Sequence, residues 1–215
     1  FRGSDGRGEE GEEEEIRRIR EAVRITEKGW ETALRETTEG ISEIDFADTF
    51  QEAILSEGGH NFSYLGRYWP PIAFGRRTAF SDIAQPTGNK LKEGDIIRFD
   101  GGCTHQGYPC DMARAAVLGE PNEKLERYWN AIYEGEQAAI EMVKPGAPVS
   151  EIFNTAVETV REKGIPHYKR HHTGHGWGIE GYDPPTVGPN DAKLEEGMIL
   201  CFETPYYEVG WGGIL

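Results

Sequence analysis

The chain has 215 residues, enough for one sizeable domain or two small ones sharing a core. Its apolar share of 37% and charged share of 28% fit a soluble globular protein rather than a disordered or membrane-embedded one. A formal net charge of −15 argues against nucleic acid as a partner, because phosphate binding needs clustered Lys and Arg.

No stretch approaches the roughly 18 apolar residues of a membrane span, and no signal-peptide core is visible. Three cysteines, Cys103, Cys110 and Cys201, leave one outside any disulfide scheme. That favours a reducing, cytoplasmic setting, with buried thiols rather than a zinc knuckle.

Residues 1–11 are rich in Gly, Arg and Glu without periodicity and read as a linker or remnant. The acidic run at 9–15 reads as a solvated helix start or tail. From Ile16 the apolar residues Ile19, Val23, Trp30 and Leu34 recur at helical steps, predicting an amphipathic helix that ends near Gly40. A second helix follows Ser42, burying Ile44, Ala47, Ala53 and Ile54 and stopped by Gly58-Gly59. Residues 62–71 form an aromatic stretch that suits core and loop packing. Further helices are predicted from about residue 122 to 143 and from Val149 or Ser150 to Lys163, the latter ended by Gly164.

An internal repeat organises the chain. Residues 90–100 align without gaps on residues 193–203, each a Gly turn followed by an apolar strand ending in a carboxylate. Upstream, Gly40-Ile41-Ser42-Glu43-Ile44 echoes the segment from Gly146 to Ile152 if a small insertion is allowed, matching Ser42-Glu43-Ile44 to Ser150-Glu151-Ile152. A repeat of about one hundred residues is too long for a solenoid and implies a pseudo-twofold α+β domain, helices on one side and antiparallel strands on the other. Residues 12–215 would form that domain, with halves of about 12–119 and 120–215.

Duplication places Asp100 and Glu203 at matching strand ends. Burying two carboxylates together is costly unless a cation neutralises them. Asp111 follows Asp100 across a hairpin, and His175 sits in a Gly-rich segment that permits close packing. Two Asp, one Glu and one His suit Mn, Co, Fe or Zn better than calcium, and two ions if a carboxylate bridges. Arg98 and Arg114 read as structural ion-pair partners on or near the sheet.

The run Gly94-Asp95-Ile96-Ile97-Arg98-Phe99-Asp100-Gly101-Gly102 and the later Gly107-Tyr108-Pro109-Cys110-Asp111-Met112-Ala113-Arg114 resemble the first-half metal motif of the Xaa-Pro peptidase and creatinase group. His171-His172-Thr173-Gly174-His175-Gly176-Trp177-Gly178 resembles that group's histidine motif, and the strand ending in Glu203-Thr204-Pro205 resembles its Glu-Pro strand. By this resemblance the chain is similar to the pita-bread metallopeptidases, family M24, which also include methionine aminopeptidase. The resemblance implies two pseudo-symmetric αβ halves with helices outside an antiparallel sheet. It also implies a homodimer with an additional N-terminal domain, and Asp100, Asp111, His175 and Glu203 as ligands of two divalent metal ions. A hydroxide generated on that pair would cleave an amide bond of a small peptide, with Glu203 as the proton carrier and His171 near the substrate. From the residues alone, one of His171 and His172, just before the Gly-rich strand, could line the pocket or face solvent. A fifth ligand is expected just past residue 215.

Two departures stand out. No histidine precedes Pro86 in the stretch Asp82-Ile83-Ala84-Gln85, where the family usually has one. Tyr182 stands where a second active-site histidine is usual; it could donate a hydrogen bond to substrate but is no match for imidazole as a proton shuttle near pH 7. These losses keep open a small non-peptide amide substrate, as in creatinase-like or ectoine-hydrolase-like branches, and a catalytically dead binding module on the same fold.

Overall fold

The computed structural model describes residues 9–61, 70–80, 85–179, 181–208 and 211–214. The aromatic stretch at 62–69, the stretch at 82–84, most of the expected linker and residue 215 lie outside them. The chain order is α1 (Glu9–Arg35), α2 (Glu43–Ser56), β1 (His60–Asn61), β2 (Ile72–Phe74), a 3-10 turn (Gly75–Ala79), β3 (Ile96–Gly101), β4 (Cys103–His105), β5 (Tyr108–Pro109) and β6 (Met112–Val117). It continues with α3 (Glu123–Glu141), α4 (Val149–Lys163), β7 (Gly174–Gly176), β8 (Asp183–Thr186), β9 (Leu200–Phe202), β10 (Tyr206–Glu208) and β11 (Trp211–Ile214). No helix among the described residues is long and apolar enough to cross a membrane.

Local chemistry sets the helix ends. Ser42 and Asp45 form a reciprocal capping box that starts α2, and the Asn122 side chain accepts from the Leu125 amide to start α3. α1 begins at Glu9, earlier than apolar periodicity alone indicates. Its acidic residues lie at the positive end of the helix dipole, and Glu14 bonds Arg17 and Arg18 one turn on, so the polar run is helix rather than linker.

The repeat is visible in hydrogen bonds. Gly40 and Gly146 donate to the carbonyls of Leu91 and Leu194 at 2.8 and 2.7 Å, and Leu91 and Leu194 donate back to Ile41 and Ala147, both at 2.9 Å. Glu43 and Val149 then donate to Asn89 and Ala192. Gly94 and Gly197 make the same left-handed turn, φ 81° and 83°, before β3 and β9, a conformation glycine adopts without a Cβ clash. The spatial register therefore has no insertion: Glu43 corresponds to Val149, not to Glu151. The shared Ser-Glu-Ile text is a coincidence of helix-start composition.

Each half has its own core. Trp30, Phe46, Phe50, Phe74 and Phe99 fill the first, with Trp30 stacked on Phe99 at 5.6 Å; Ile132, Ile152, Val160, Tyr168 and Val187 fill the second. Beside the first core, Thr26 Oγ1 accepts from the Cys103 amide and lies 3.0 Å from Cys110 Sγ. All three cysteines are free, and Cys103 and Cys110 are buried as expected.

β3 joins the halves. Ile97 and Phe99 point into the first core while Ile96 belongs to the second, the two-residue alternation of a strand buried on both faces. Arg98 and Asp100 therefore share the face of Ile96. β3 pairs antiparallel with β2 and β6, and β7 pairs antiparallel with β8 and β9.

Candidate metal centre

Each half offers one carboxylate and one diagonal neighbour. On β3, Asp100 lies opposite Ala113, and the residue two before Ala113 is Asp111. In an antiparallel pair such diagonal residues share a face within reach of their side chains. In the second half β7 pairs β9 with His175 opposite Cys201, and the Glu203 amide donates to the Thr173 carbonyl at 3.2 Å. Glu203 is thus the diagonal neighbour of His175.

The two pairs meet across the pseudo-axis. His175 Nε2 stands 3.5 Å from Asp111 Oδ2, and the Trp177 indole, two residues on, donates to the Pro109 carbonyl at 2.8 Å. His175 Nδ1 lies 2.9 Å from the Gly176 carbonyl, which only accepts, so Nδ1 carries a proton and Nε2 faces the carboxylates. Burial disfavours an imidazolium here, yet the Asp111 hydrogen bond, the Gly176 carbonyl and the charges of Asp111 and Glu203 outweigh it and raise the His175 pKa.

Neighbouring groups feel the carboxylates' charge. Burial first, then the Asp111 and Glu203 charges, push the Cys201 thiol up. Burial raises Tyr207 to about 12, and both Asp100 and Glu203 contribute. By strand register Asp100 and Asp111 are neighbours, as are His175 and Glu203, and the Asp111–His175 contact joins the two pairs. Among the described residues, however, no three His, Cys, Asp or Glu side chains close on one point. They stand as two contacts, Asp111 with His175 and Glu203 with His172. The donor set fits a divalent cation in chemistry: oxygen-rich, one imidazole, and carboxylates held near one another at a cost a cation would offset. Beside it the Thr173 hydroxyl is buried without a hydrogen-bond partner, a polar group that bound water or a ligand would satisfy.

His171 and Tyr182 take different places from one another. His171 is exposed and meets the His172 ring edge-on at 4.2 Å. Tyr182 stacks on the His175 imidazole at 3.9 Å and 21° and is partly open to solvent. The sequence left open which of His171 and His172 faces the pocket and marked Arg98 only as an ion-pair partner; Arg170 and Tyr207 carried no signal in it. His172 Nε2 lies 2.7 Å from Glu203 Oε1, and Arg170 Nη2 3.9 Å from the same oxygen. Burial pushes the Glu203 pKa upward, but the His172 hydrogen bond and the Arg170, His172 and His175 charges outweigh it, leaving the pKa lowered. Arg98 is fully buried, its guanidinium 5.7 Å over the Tyr207 ring and 3.4 Å from the Tyr207 hydroxyl. The alternation of β3, which sets Arg98 beside Asp100, was a usable signal. Arg114 makes the expected ion pair, with Glu27 at 3.2 Å.

A family model described as metallopeptidase family M24 matches residues 17–215. An uncharacterized peptidase of Staphylococcus aureus is 30% identical over 203 residues, 94% of this chain and 56% of that protein. Among solved structures, an X-Pro aminopeptidase from Thermotoga maritima superposes with a TM-score of 0.86 at 27% identity, covering 94% of this chain and 56% of that one. Prolidase from Pyrococcus furiosus gives 0.82 at 30% identity, over 94% and 58% of the two chains. An Xaa-Pro dipeptidase from Bacillus anthracis gives 0.84 at 28% identity, over 93% and 55%. The chain spans about half the length of the relatives it matches. The likeness bears out the pita-bread architecture that the resemblance implied, and with it the two related halves read from the repeat.

Proposed function

The chain belongs to metallopeptidase family M24, and on that premise we propose that it is the catalytic domain, residues 12–215, of a hydrolase that uses two divalent metal ions to cleave an amide bond in an Xaa-Pro peptide. The observation that carries this reading is the contact of Asp111 from one half with His175 from the other, 3.5 Å apart, with Asp100 and Glu203 as their diagonal strand neighbours. Asp100, Asp111, His175 and Glu203 would hold the ions. Bound there, Mn, Co, Zn or Fe supplies Lewis acidity toward a carbonyl and acidifies water.

The protein's own groups do the rest. Glu203, a carboxylate with a lowered pKa, is ionised at neutral pH and suited to accept a proton from water and return it to the leaving amine. The Nδ1 contact to Gly176 fixes the orientation of His175. Tyr182, half open to solvent, and the exposed His171 border the same region and would meet the substrate. The resemblance also implies a homodimer and a small peptide or amide as the molecule bound.

The test uses the full-length protein, stripped with chelator and reloaded with Mn or Co, on a panel of Xaa-Pro dipeptides and longer Xaa-Pro peptides. Turnover restored by metal and abolished in His175→Ala supports the proposal; cleavage of the dipeptides alone marks a dipeptidase, and of longer peptides an aminopeptidase. Absence of turnover with either ion bound removes the peptidase label. One observation favours a second reading, a small non-peptide amide as substrate: a phenol rather than an imidazole stacks on His175. A screen of small amides and amidines separates the two.

A further inference from the structure

We propose that His172 is a positioning residue for Glu203: its Nε2–H holds Oε1 of the carboxylate, and Oε2 is thereby the oxygen presented to a cation. The inference rests on the reading of Glu203 as a metal ligand and adds a residue that acts through it.

The 2.7 Å separation of His172 Nε2 and Glu203 Oε1 lies in the short range of charge-assisted hydrogen bonds. A carboxylate only accepts, so Nε2 carries the proton. The contact is sheltered, with the His172 side chain 11% exposed and that of Glu203 29%. Arg170 Nη2 approaches the same Oε1, at 3.9 Å. Both basic groups thus address one oxygen of the carboxylate.

The imidazole is itself held. The Glu203 amide donates to the Thr173 carbonyl, which locks the backbone beside His172 to the backbone of Glu203. Arg170 Nε donates to the His172 carbonyl at 3.4 Å. The His171 ring stands edge-on to the His172 ring at 4.2 Å, and the Tyr182 ring edge-on at 6.2 Å. A donor fixed by its neighbours sets the plane of the Glu203 carboxylate before any ligand arrives. Without it the glutamate side chain must be ordered at the moment of binding, and affinity falls accordingly.

A purely structural brace would make a different prediction. Removing a brace would lower stability and leave metal affinity per folded molecule unchanged. Removing a positioning donor weakens the metal while the fold stands.

The experiment takes the full-length protein, stripped with chelator, and titrates it with Co(II) by calorimetry and by the visible absorption of the bound ion. Four forms are compared with wild type: Glu203→Gln, His172→Phe, His172→Asn and His172→Gln. Phenylalanine keeps the ring without a donor, asparagine places its amide short of Oε1, and glutamine carries an amide N–H near the Nε2 position. His172→Phe and His172→Asn are expected to weaken Co(II) by about 10–100-fold, with His172→Gln within about threefold of wild type. The absorption band should change in the first two and not in the third. Thermal unfolding of the stripped proteins identifies the folded variants; if the phenylalanine form does not fold, the asparagine form carries the comparison. Wild-type affinity in the phenylalanine and asparagine forms, or a glutamine form as weak as those two, overturns the proposal. Failure of the underlying metal reading has its own signature: wild type itself takes up no Co(II), or Glu203→Gln binds it unchanged.

Discussion

Replacing Glu43 with glutamine changes a few atoms and should destabilise the first half. The carboxylate is fully buried at the start of α2 and gathers a loop around itself. Its Oε1 accepts from the Phe74 amide at 2.9 Å, Arg77 Nε at 3.0 Å and Asn89 Nδ2 at 3.1 Å. Its Oε2 accepts from the Thr87 amide at 2.9 Å and the Thr87 hydroxyl at 2.7 Å, and shares the Arg77 Nε donor with Oε1, at 3.1 Å. Glutamine must turn an NH2 toward one of these groups of donors. In the milder orientation the amide replaces Oε2: the Thr87 hydroxyl rotates to accept, but the Thr87 N–H loses its acceptor, costing about 1–3 kcal/mol. The pair with Arg77, whose side chain is 32% exposed, loses its charge partner, which adds only about 0.5–1 kcal/mol after solvent screening. The sum is about 1.5–4 kcal/mol, read as a shift in the urea unfolding midpoint at constant slope. Glu151→Gln, an exposed change in the first turn of α4, serves as the control and should stay within about 0.5 kcal/mol. A Glu43→Gln loss below about 1 kcal/mol, or equal to that of Glu151→Gln, would mean that the network does not hold the loop.

Phe99→Ala removes a fully buried ring that Trp30 and Phe50 contact, and should cost about 3–5 kcal/mol in the same assay; a loss under about 1.5 kcal/mol would mean the first core collapses into the gap. In chelator, Asp111→Asn should lower the His175 pKa toward or below its ordinary 6.5, seen by NMR titration of the imidazole. Because the folded value is raised, the pair's stabilisation is fully present below about pH 6.5 and lost as pH rises through the folded pKa, so the wild-type advantage over Asp111→Asn should shrink from pH 5.5 to 8. An advantage that grows over that range contradicts the assignment. Mn or Co at a hundredfold excess over its dissociation constant should stabilise the folded protein by about 2.7 kcal/mol, raising the melting midpoint in step with the logarithm of metal concentration, whereas chelator-treated protein should show no such slope.

The helices were legible because a period of 3.6 residues is written in one dimension, though on α2 only Ala47 and Ile54 of the expected stripe are fully buried; Ile44 and Ala53 lie at its margin and Phe46 and Phe50 fill its centre. The duplicated Gly-turn strands were legible for a similar reason, since Gly94 and Gly197 answer to one backbone conformation. The register of the repeat at its helix starts was not. Glu43 and Val149 occupy one place with opposite chemistry, a carboxylate hub in one half and an apolar contact in the other, so text alignment followed the wrong glutamate. In the site, the motif singled out His171, but the imidazole that reaches Glu203 is His172. The two adjacent histidines lie before the three-residue β7, too short a strand to leave an alternation signal for which of them turns inward. Tyr207 shows the same difficulty, since only the fold brings it over Arg98.

β3 has a consequence for how this protein moves. Because one six-residue strand carries Ile97 and Phe99 into one core, Ile96 into the other and Asp100 to the centre, sliding it by a single position would swap the faces and turn Arg98 and Asp100 toward the apolar first core. The amide hydrogens of Ile97 and Phe99 should therefore exchange with solvent only when the whole molecule unfolds, and the centre inherits the lifetime of the native state.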